Sequence, residues 1–379
     1  MSGFLINHTP FHADLFPHSL ANGQRGVVVV VKGTWMLGTS RNASAALAPY
    51  DRQVPLYRDP PLESLHQLIQ DMALSAAQAE IIRALPVEPW AKHETDFCPP
   101  KPRFDVIVNG WANEPNLREF VQTAVAVDHV DRQQHVHRLT ELQGHAPRRW
   151  VKRLGGFADP LAEYIEPVLR VPLFRPFAFG GQGLETDGST VSFEQNPSGM
   201  GYHLQRETAA GAPLPWTESA CEPIHHWSDT PAPVALGAMP IHHLPRRSLQ
   251  GSYDIRWEQH GLPGRPLDSD PRLHNAAPEA LQLKVAPLAG EALVLHNMGD
   301  QAQLYFSWPA IALCACPETV GGTRLPTQEL NWDTVVIDTG QRTATLVWRA
   351  YLPVPQLEKL GGINLQAHAR APRLPPHLA

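Results

Sequence analysis

The sequence predicts a mainly β protein made of antiparallel sheets, sandwich- or barrel-like, with one inserted helix or helical hairpin around residues 61–85. Proline accounts for 38 of the 379 residues. Because proline lacks a backbone donor and fixes φ, this density disfavours long helices. Only 18% of the residues are charged, which leaves little material for solvated helix faces. Short runs of β-branched and aromatic residues recur between turn residues, as expected of strands.

The most distinctive predicted strand contains five consecutive valines, Val27–Val31. A run of branched side chains without alternating polar residues is typical of a strand buried on both faces. Thr339 and Gly340 form the predicted turn of a hairpin near the end of the chain. Further strands are predicted at 104–108, 121–127, 135–139, 293–295, 304–308, 311–316, 334–338 and 343–351.

The stretch 61–85 differs from the rest because its apolar residues recur every three or four positions. This spacing predicts an amphipathic helix or helical hairpin that begins near Pro61 and ends near Pro86. An apolar helix face can dock a partner, so three of its residues are candidate partner-binding residues: Leu65, Leu68 and Met72.

We expect residues 1–355 to form a single domain or two β lobes, at about 1–155 and 156–355. Residues 356–379, with Gly361-Gly362 and Pro375-Pro376, are predicted to be a flexible C-terminal tail.

Composition limits the classes of partner and the compartment. The chain has 31 basic and 37 acidic residues and a net charge of −6. This charge does not predict a basic surface that would attract nucleic acids or anionic lipids. Four cysteines are too few for a disulfide scaffold, and the first residues do not resemble a signal peptide. No apolar run approaches the length of a membrane helix. These features predict a cytoplasmic protein, and they leave its oligomeric state open.

The sequence contains no recognisable catalytic or cofactor-binding motif, so we expect neither an enzyme nor a bound cofactor or metal. Nineteen histidines nevertheless raise the question of a metal site. His135 and His137 should leave the same face of a strand, with Asp128, His129 and Asp131 nearby in sequence. No known spacing supplies a third ligand, and a solvated strand face is the favoured interpretation. An enzyme or a small-ligand- or metal-binding protein with a histidine-lined pocket is the alternative.

Several segments in register resemble a bacterial family known as domain of unknown function 2169, across residues 4 to 352. Those that carry the resemblance are Leu5–Phe11, Val29–Thr34, Thr95–Val106, Val171–Leu173, Ala178–Gly181, Asn196–Gly201, Pro245–Arg247, Gly251–Trp257 and Asn275–Pro278.

The resemblance implies an accessory protein of type VI secretion, an adaptor or chaperone that binds an effector and aids its loading onto the spike and tip proteins. No catalytic residues are established for the family. We expect Arg246 and Arg247 to be exposed, where they could bind an acidic partner. Gly251, Tyr253, Asp254 and Trp257 are expected to fix a turn and a strand.

Overall fold

A computed structural model describes residues 4–20, 24–41, 45–71, 76–83, 87, 89–113, 122–153, 158–165, 167–168, 170–260, 265–353 and 359–369 of the chain. These residues form mainly β structure, which confirms the predicted fold class.

The first twelve strands are β1 (Leu5–Asn7), β2 (His12–Ser19), β3 (Arg25–Met36), β4 (Leu62–Glu63), β5 (Trp90–Ala91), β6 (Phe104–Asn109), β7 (Trp111–Asn113), β8 (Gln122–Val130), β9 (Val136–His145), β10 (Arg148–Val151), β11 (Leu161–Tyr164) and β12 (Arg170–Pro172). The others are β13 (Phe179–Gly180), β14 (Gln182–Leu184), β15 (Thr190–Ser192), β16 (Met200–Gly201), β17 (Thr217–Ser219), β18 (Gln282–Leu283), β19 (Ala292–His296), β20 (Gln303–Ser307), β21 (Ile311–Thr319), β22 (Gln328–Asp338), β23 (Thr343–Pro353) and β24 (Leu360–Ala369).

The helices are short. The α-helices are α1 (Leu65–Asp71), α2 (Ala76–Arg83), α3 (Arg206–Ala209) and α4 (Ile255–His260). Single 3-10 turns lie at Tyr50–Arg52, Arg175–Phe177, Arg246–Leu249, Pro271–His274 and Glu279–Leu281. Helices α1 and α2 are the helical hairpin predicted for residues 61–85.

The largest sheet has nine strands and is barrel-like. Its main path runs β1-β24-β21-β22-β23-β3-β2, and the two end strands, β1 and β2, approach each other. Strand β22 pairs with β21 through its first residues and with β6, in parallel, through its last. Strand β18 extends this branch by pairing with β6. A second sheet has the order β17-β9-β8-β19-β20, and the other strands form two-stranded ribbons.

The valine strand lies inside the large sheet, as predicted. Strand β3 pairs with β2 on one edge and with β23 on the other. All five valines are buried. Because successive side chains alternate between faces, Val27, Val29 and Val31 contribute to the main hydrophobic core while Lys32 points to the opposite face.

A cluster of aromatic rings fills the core side of this sheet. Trp348 lies 5.6 Å from Trp35, 5.7 Å from Phe11 and 6.1 Å from Trp332, measured between ring centroids. Gly33 is required by this packing, since a Cβ at that position would lie 2.5 Å from the Phe11 ring. The strand can therefore approach Phe11 only with glycine at this position.

The prediction of a flexible C-terminal tail is wrong for residues 360–369. This segment is strand β24, which pairs antiparallel with β21 and parallel with β1. Ile363 and Leu365 alternate into the core and are fully buried. Gly361 lies opposite a register shift at Glu318/Thr319, where a Cβ would come within 2.5 Å of the Thr319 carbonyl oxygen. The glycines thus fit a strand irregularity, and residues 356–358 and 370–379 lie outside the described chain.

Candidate functional site

Six charged side chains form a buried ionic cluster on the outer face of the large sheet. Its members are Lys32, Lys101 and Arg349, with Asp96, Asp105 and Asp333. Lys32 Nζ lies 2.7 Å from Asp96 Oδ2, and Lys101 Nζ lies 2.8 Å from Asp105 Oδ2. Arg349 pairs with Asp333 and also donates to the carbonyl oxygen of Asp96. The cluster therefore contains as many cations as anions, which is how buried charge is tolerated.

Asp105 is the best-connected anion of the cluster. Besides Lys101, it accepts a hydrogen bond from the Asn275 side chain at 2.9 Å and from the Ala276 backbone at 2.8 Å. Burial would by itself lower the pKa of the Lys101 ammonium. The Asp105 carboxylate and the other nearby acidic groups together outweigh burial, so the pKa of Lys101 lies above its usual value. Asp105 thus connects two of the segments that carry the family resemblance, 95–106 and 275–278. We call the segments of that set the signature segments.

The cluster anchors the segment Glu94–Pro100, which forms one wall of a large cleft. This cleft, which we call the signature cleft, has a volume of about 1050 Å³. Its other walls are formed by the end of strand β2, the start of strand β3 and the segments 241–246 and 265–274. It is lined by Pro17, His18, Ser19, Leu20, Arg25, Gly26, Glu94, Thr95, Phe97, Cys98, Pro99, Pro100, Ile241, Arg246, Arg265, Ser269, Asp270, Pro271, Leu273, His274 and Tyr351.

Positive charge is available to a ligand in the signature cleft. Arg25 and Arg265 are exposed, and within the described residues neither forms an ion pair. Burial first, and then the neighbouring Arg265, lower the pKa of His18. The same two causes are the largest for His274, whose pKa is lowered to about 3. Both imidazoles are therefore neutral near pH 7. The cleft combines two exposed guanidinium groups with apolar walls, a combination suited to an acidic group on an extended ligand.

Another signature segment, Gly251–Trp257, lies beside one wall of the cleft, because it is hydrogen bonded to Asp268, which precedes the lining residue Ser269. We call this segment, together with residues 267–268, the rim. The expected turn is present, with Gly251 at φ +80° and the Ser252 backbone donating to Asp268. The expected strand is wrong, because the Asp254 side chain accepts from the backbone of residues 256 and 257 and so caps helix α4.

Three large apolar side chains project from this rim. Tyr253, Ile255 and Leu267 are 52%, 61% and 82% exposed. They lie on two stretches that the Ser252–Asp268 hydrogen bond holds together. An exposed apolar group next to a cleft is typical of a protein-binding surface.

Two of the residues predicted to bind a partner lie against the core. Leu68 is buried in the main core, Leu65 packs against that core, and Met72 lies outside the described residues. The helical hairpin is therefore built into the fold by Leu68, Ile69 and Ile82.

The expectation that Arg246 is exposed is wrong. Its guanidinium is buried and donates to the carbonyl oxygens of Met239 and Leu273, with Glu94 beside it. Arg247 is half exposed and pairs with Glu194. Neighbouring arginines differ because the 3-10 turn at Arg246–Leu249 directs the first inward and the second outward.

Next to this turn, a buried histidine predicts a pH dependence of stability. His243 accepts a hydrogen bond from Arg175 Nε at 3.1 Å. Burial first, and then Arg175 and other nearby cations, lower the pKa of His243 to about 3. Between pH 6.5 and 3 the unfolded chain binds a proton that the folded protein excludes, so stability falls as the pH falls.

We expect His243 to contribute a loss of about 2 kcal/mol in unfolding free energy between pH 7.5 and pH 5.0. His243→Gln keeps an acceptor for Arg175 without titrating, and it should flatten the pH profile by that amount. Urea denaturation of both proteins at several pH values measures the difference. His225→Gln, at an exposed position, is the control and should keep the wild-type profile. An equal slope in the His243 variant would contradict the prediction.

The histidine strand also differs from its sequence interpretation. His135 and His137 are exposed, as expected, but strand β9 begins at Val136, so His135 lies just before the strand. Asp131, however, lies 3.1 Å from both imidazoles and is a third side chain of a type that can bind a metal, which sequence spacing did not identify. The feature that could have identified Asp131 is the tight turn between the two predicted strands, because such a turn places the residue before it close to the residues after it.

Together these features define a mainly β protein with a charge-anchored cleft. Among the described residues, no helix is long and apolar enough to cross a lipid bilayer. The sequence profile of a family described as an uncharacterised protein conserved in bacteria, domain of unknown function 2169, matches residues 22–349. The chain belongs to this family. No curated protein and no solved structure matches it significantly.

Proposed function

We propose that this protein is a type VI secretion adaptor that binds a cognate effector in the signature cleft and aids its loading onto the spike. The observation that supports the proposal most strongly is that segments far apart in sequence lie close together in the fold. Signature segments from distant parts of the chain, around residues 95–106, 245–247, 251–257 and 275–278, meet at or beneath one cleft. A binding protein requires such a shaped surface and no reactive groups.

The features of the cleft support a peptide-like client. Strand β2 is an end strand of the large sheet, and its last residues line the cleft. An extended segment can add to such an edge by backbone hydrogen bonds. The exposed rim residues Tyr253, Ile255 and Leu267 offer apolar contacts, and Arg25 and Arg265 attract acidic side chains.

The client should therefore lose affinity when the exposed arginines are reversed in charge. Arg25→Glu with Arg265→Glu places like charge opposite an acidic client, and we expect the dissociation constant to rise at least about tenfold. The measurement is isothermal titration of the purified protein with the effector encoded beside its gene. Arg324→Glu, an exposed arginine that does not line the cleft, is the matched control and should bind normally. Equal affinity of the double variant would rule out the cleft arginines as client contacts.

Secretion tests the biological part of the proposal. Deletion of the gene should lower the cellular level or the export of that effector, and the double variant should fail to restore it. A normal level and normal export without the protein would overturn the adaptor role. Recovery of the protein itself from sheared extracellular spikes would instead make it a structural component.

A small-ligand-binding protein or enzyme is the second candidate, since His18 and His274 lie in the wall of the same cleft. It predicts a bound small molecule after mild purification, detected by native mass spectrometry and lost in the Arg25/Arg265 double variant. A mass equal to the bare chain would count against it.

A further inference from the structure

We propose that Asp131, His135 and His137 form a binding site for a divalent transition metal ion such as zinc, at the β8–β9 hairpin and apart from the signature cleft. The site is independent of the proposed adaptor function.

The geometry of the three ligand atoms supports this assignment. Asp131 Oδ2 lies 3.1 Å from His135 Nδ1 and 3.1 Å from His137 Nε2. All three atoms lie within 4.8 Å of one another. Ligands at zinc bond lengths of about 2.0–2.1 Å in tetrahedral geometry are separated by about 3.3 Å. An ion can therefore replace the two shared hydrogen bonds with little movement of the side chains.

The backbone of the hairpin presents these ligands. The Asp131 and His135 backbones are hydrogen bonded across the turn, and Gln134 adopts φ 69° in the left-handed region. His135 directly precedes β9 and His137 is its second residue, and both side chains contact the same Asp131 oxygen. The second carboxylate oxygen of Asp131 accepts from the His135 backbone at 2.9 Å, which orients the carboxylate. Such an outer contact is the usual means of fixing a metal ligand.

The charge and the surroundings also suit a cation. Asp131 contributes a carboxylate, and its 3.1 Å contacts with both imidazoles place it between the two histidines. On the neighbouring strand His129 lies directly opposite His137 and contacts Glu291 at 3.1 Å. Two imidazoles and one carboxylate are a set that zinc and its neighbours in the first transition row accept.

The site is open rather than enclosed. The His135 and His137 side chains are 70% and 55% exposed, so a bound ion can exchange with solvent and keep water in its remaining positions. We therefore expect a reversible site and not one on which folding depends.

The test is titration of the tag-free full chain with zinc chloride and, separately, cobalt(II) chloride. We expect one ion per chain at this site and the appearance of visible cobalt absorption bands. His135→Ala with His137→Ala should weaken zinc binding about 10- to 100-fold or more and abolish the cobalt bands. Asp131→Asn should weaken zinc binding by a smaller factor, since it removes the charge and leaves the imidazoles.

His225→Ala with His226→Ala is the matched control, because these adjacent histidines, one exposed and one half-buried, belong to another loop. This control should keep the wild-type affinity and spectrum. Circular dichroism and the thermal midpoint of each apo variant show that it is folded. Absence of zinc binding by the wild type, or binding that the His135/His137 variant retains in full, would overturn the proposal.

Discussion

Replacement of Asp105 by alanine is expected to lower the free energy of unfolding by about 3–5 kcal/mol. The substitution leaves the buried Lys101 ammonium without its partner at 2.8 Å. It also removes the acceptor of the Asn275 side chain and of the Ala276 backbone. A buried donor without an acceptor loses the hydration it had in the unfolded chain and gains nothing in return. The midpoint of urea denaturation at pH 7.5 measures the change.

Two further variants make this result interpretable. Asp105→Asn retains a carbonyl acceptor but no charge, so it should destabilise less than alanine and remain measurable if the alanine variant does not fold. Asp300→Ala removes the partner of Arg342 in an exposed ion pair and should cost no more than about 1 kcal/mol. Similar losses for Asp105→Ala and Asp300→Ala would show that the buried ionic cluster does not anchor the fold.

Replacement of Trp348 by alanine should cost about 3–5 kcal/mol of stability. This residue is fully buried and touches three other aromatic rings, those of Phe11, Trp35 and Trp332. A strand held between β22 and β3 has little freedom to collapse into the space that remains. Chemical denaturation followed by circular dichroism measures the loss independently of tryptophan fluorescence.

The size of the cavity should set the size of this effect. Trp348→Phe retains an aromatic ring and should lose less than half as much stability as alanine. Tyr50→Ala, which removes an aromatic ring that is 86% exposed, should change stability by no more than about 0.5 kcal/mol. A Trp348→Ala variant as stable as the Tyr50 variant would contradict the role given to the aromatic cluster.

Local sequence patterns predicted the parts of the fold that depend on local physics. The valine run indicated a strand buried on both faces, and Lys32 and Val31 now show the two environments on its sides. The turn at Thr339-Gly340 and the helical hairpin followed from turn chemistry and apolar spacing. Strand β24 was missed because Gly361-Gly362 is typical of a loop. Its alternating Ile363 and Leu365 gave a period-two signal that the glycines obscured.

The candidate site was harder to predict because it depends on contacts between distant residues. Nothing local indicates that Asp105 meets Asn275, or that Arg246 turns inward while Arg247 remains at the surface. The signature segments were identified as a set, but the meeting of four of them at or beside one cleft is a property of the three-dimensional fold. Asp131 was named beside His135 and His137, yet only the hairpin geometry makes the three a cluster.

The valine strand β3 pairs with β23, which lies near the end of the chain, and this distance in sequence affects how the protein folds. Thr34 on β3 meets Thr345 on β23 across 311 positions of sequence. During synthesis the most apolar strand therefore emerges long before the strand that covers one of its edges. Pairings so distant in sequence form slowly, and an uncovered apolar edge invites pairing with other chains. Soluble expression of this protein should accordingly depend on slow translation and on chaperones that shield Val27–Val31 until the last strands arrive.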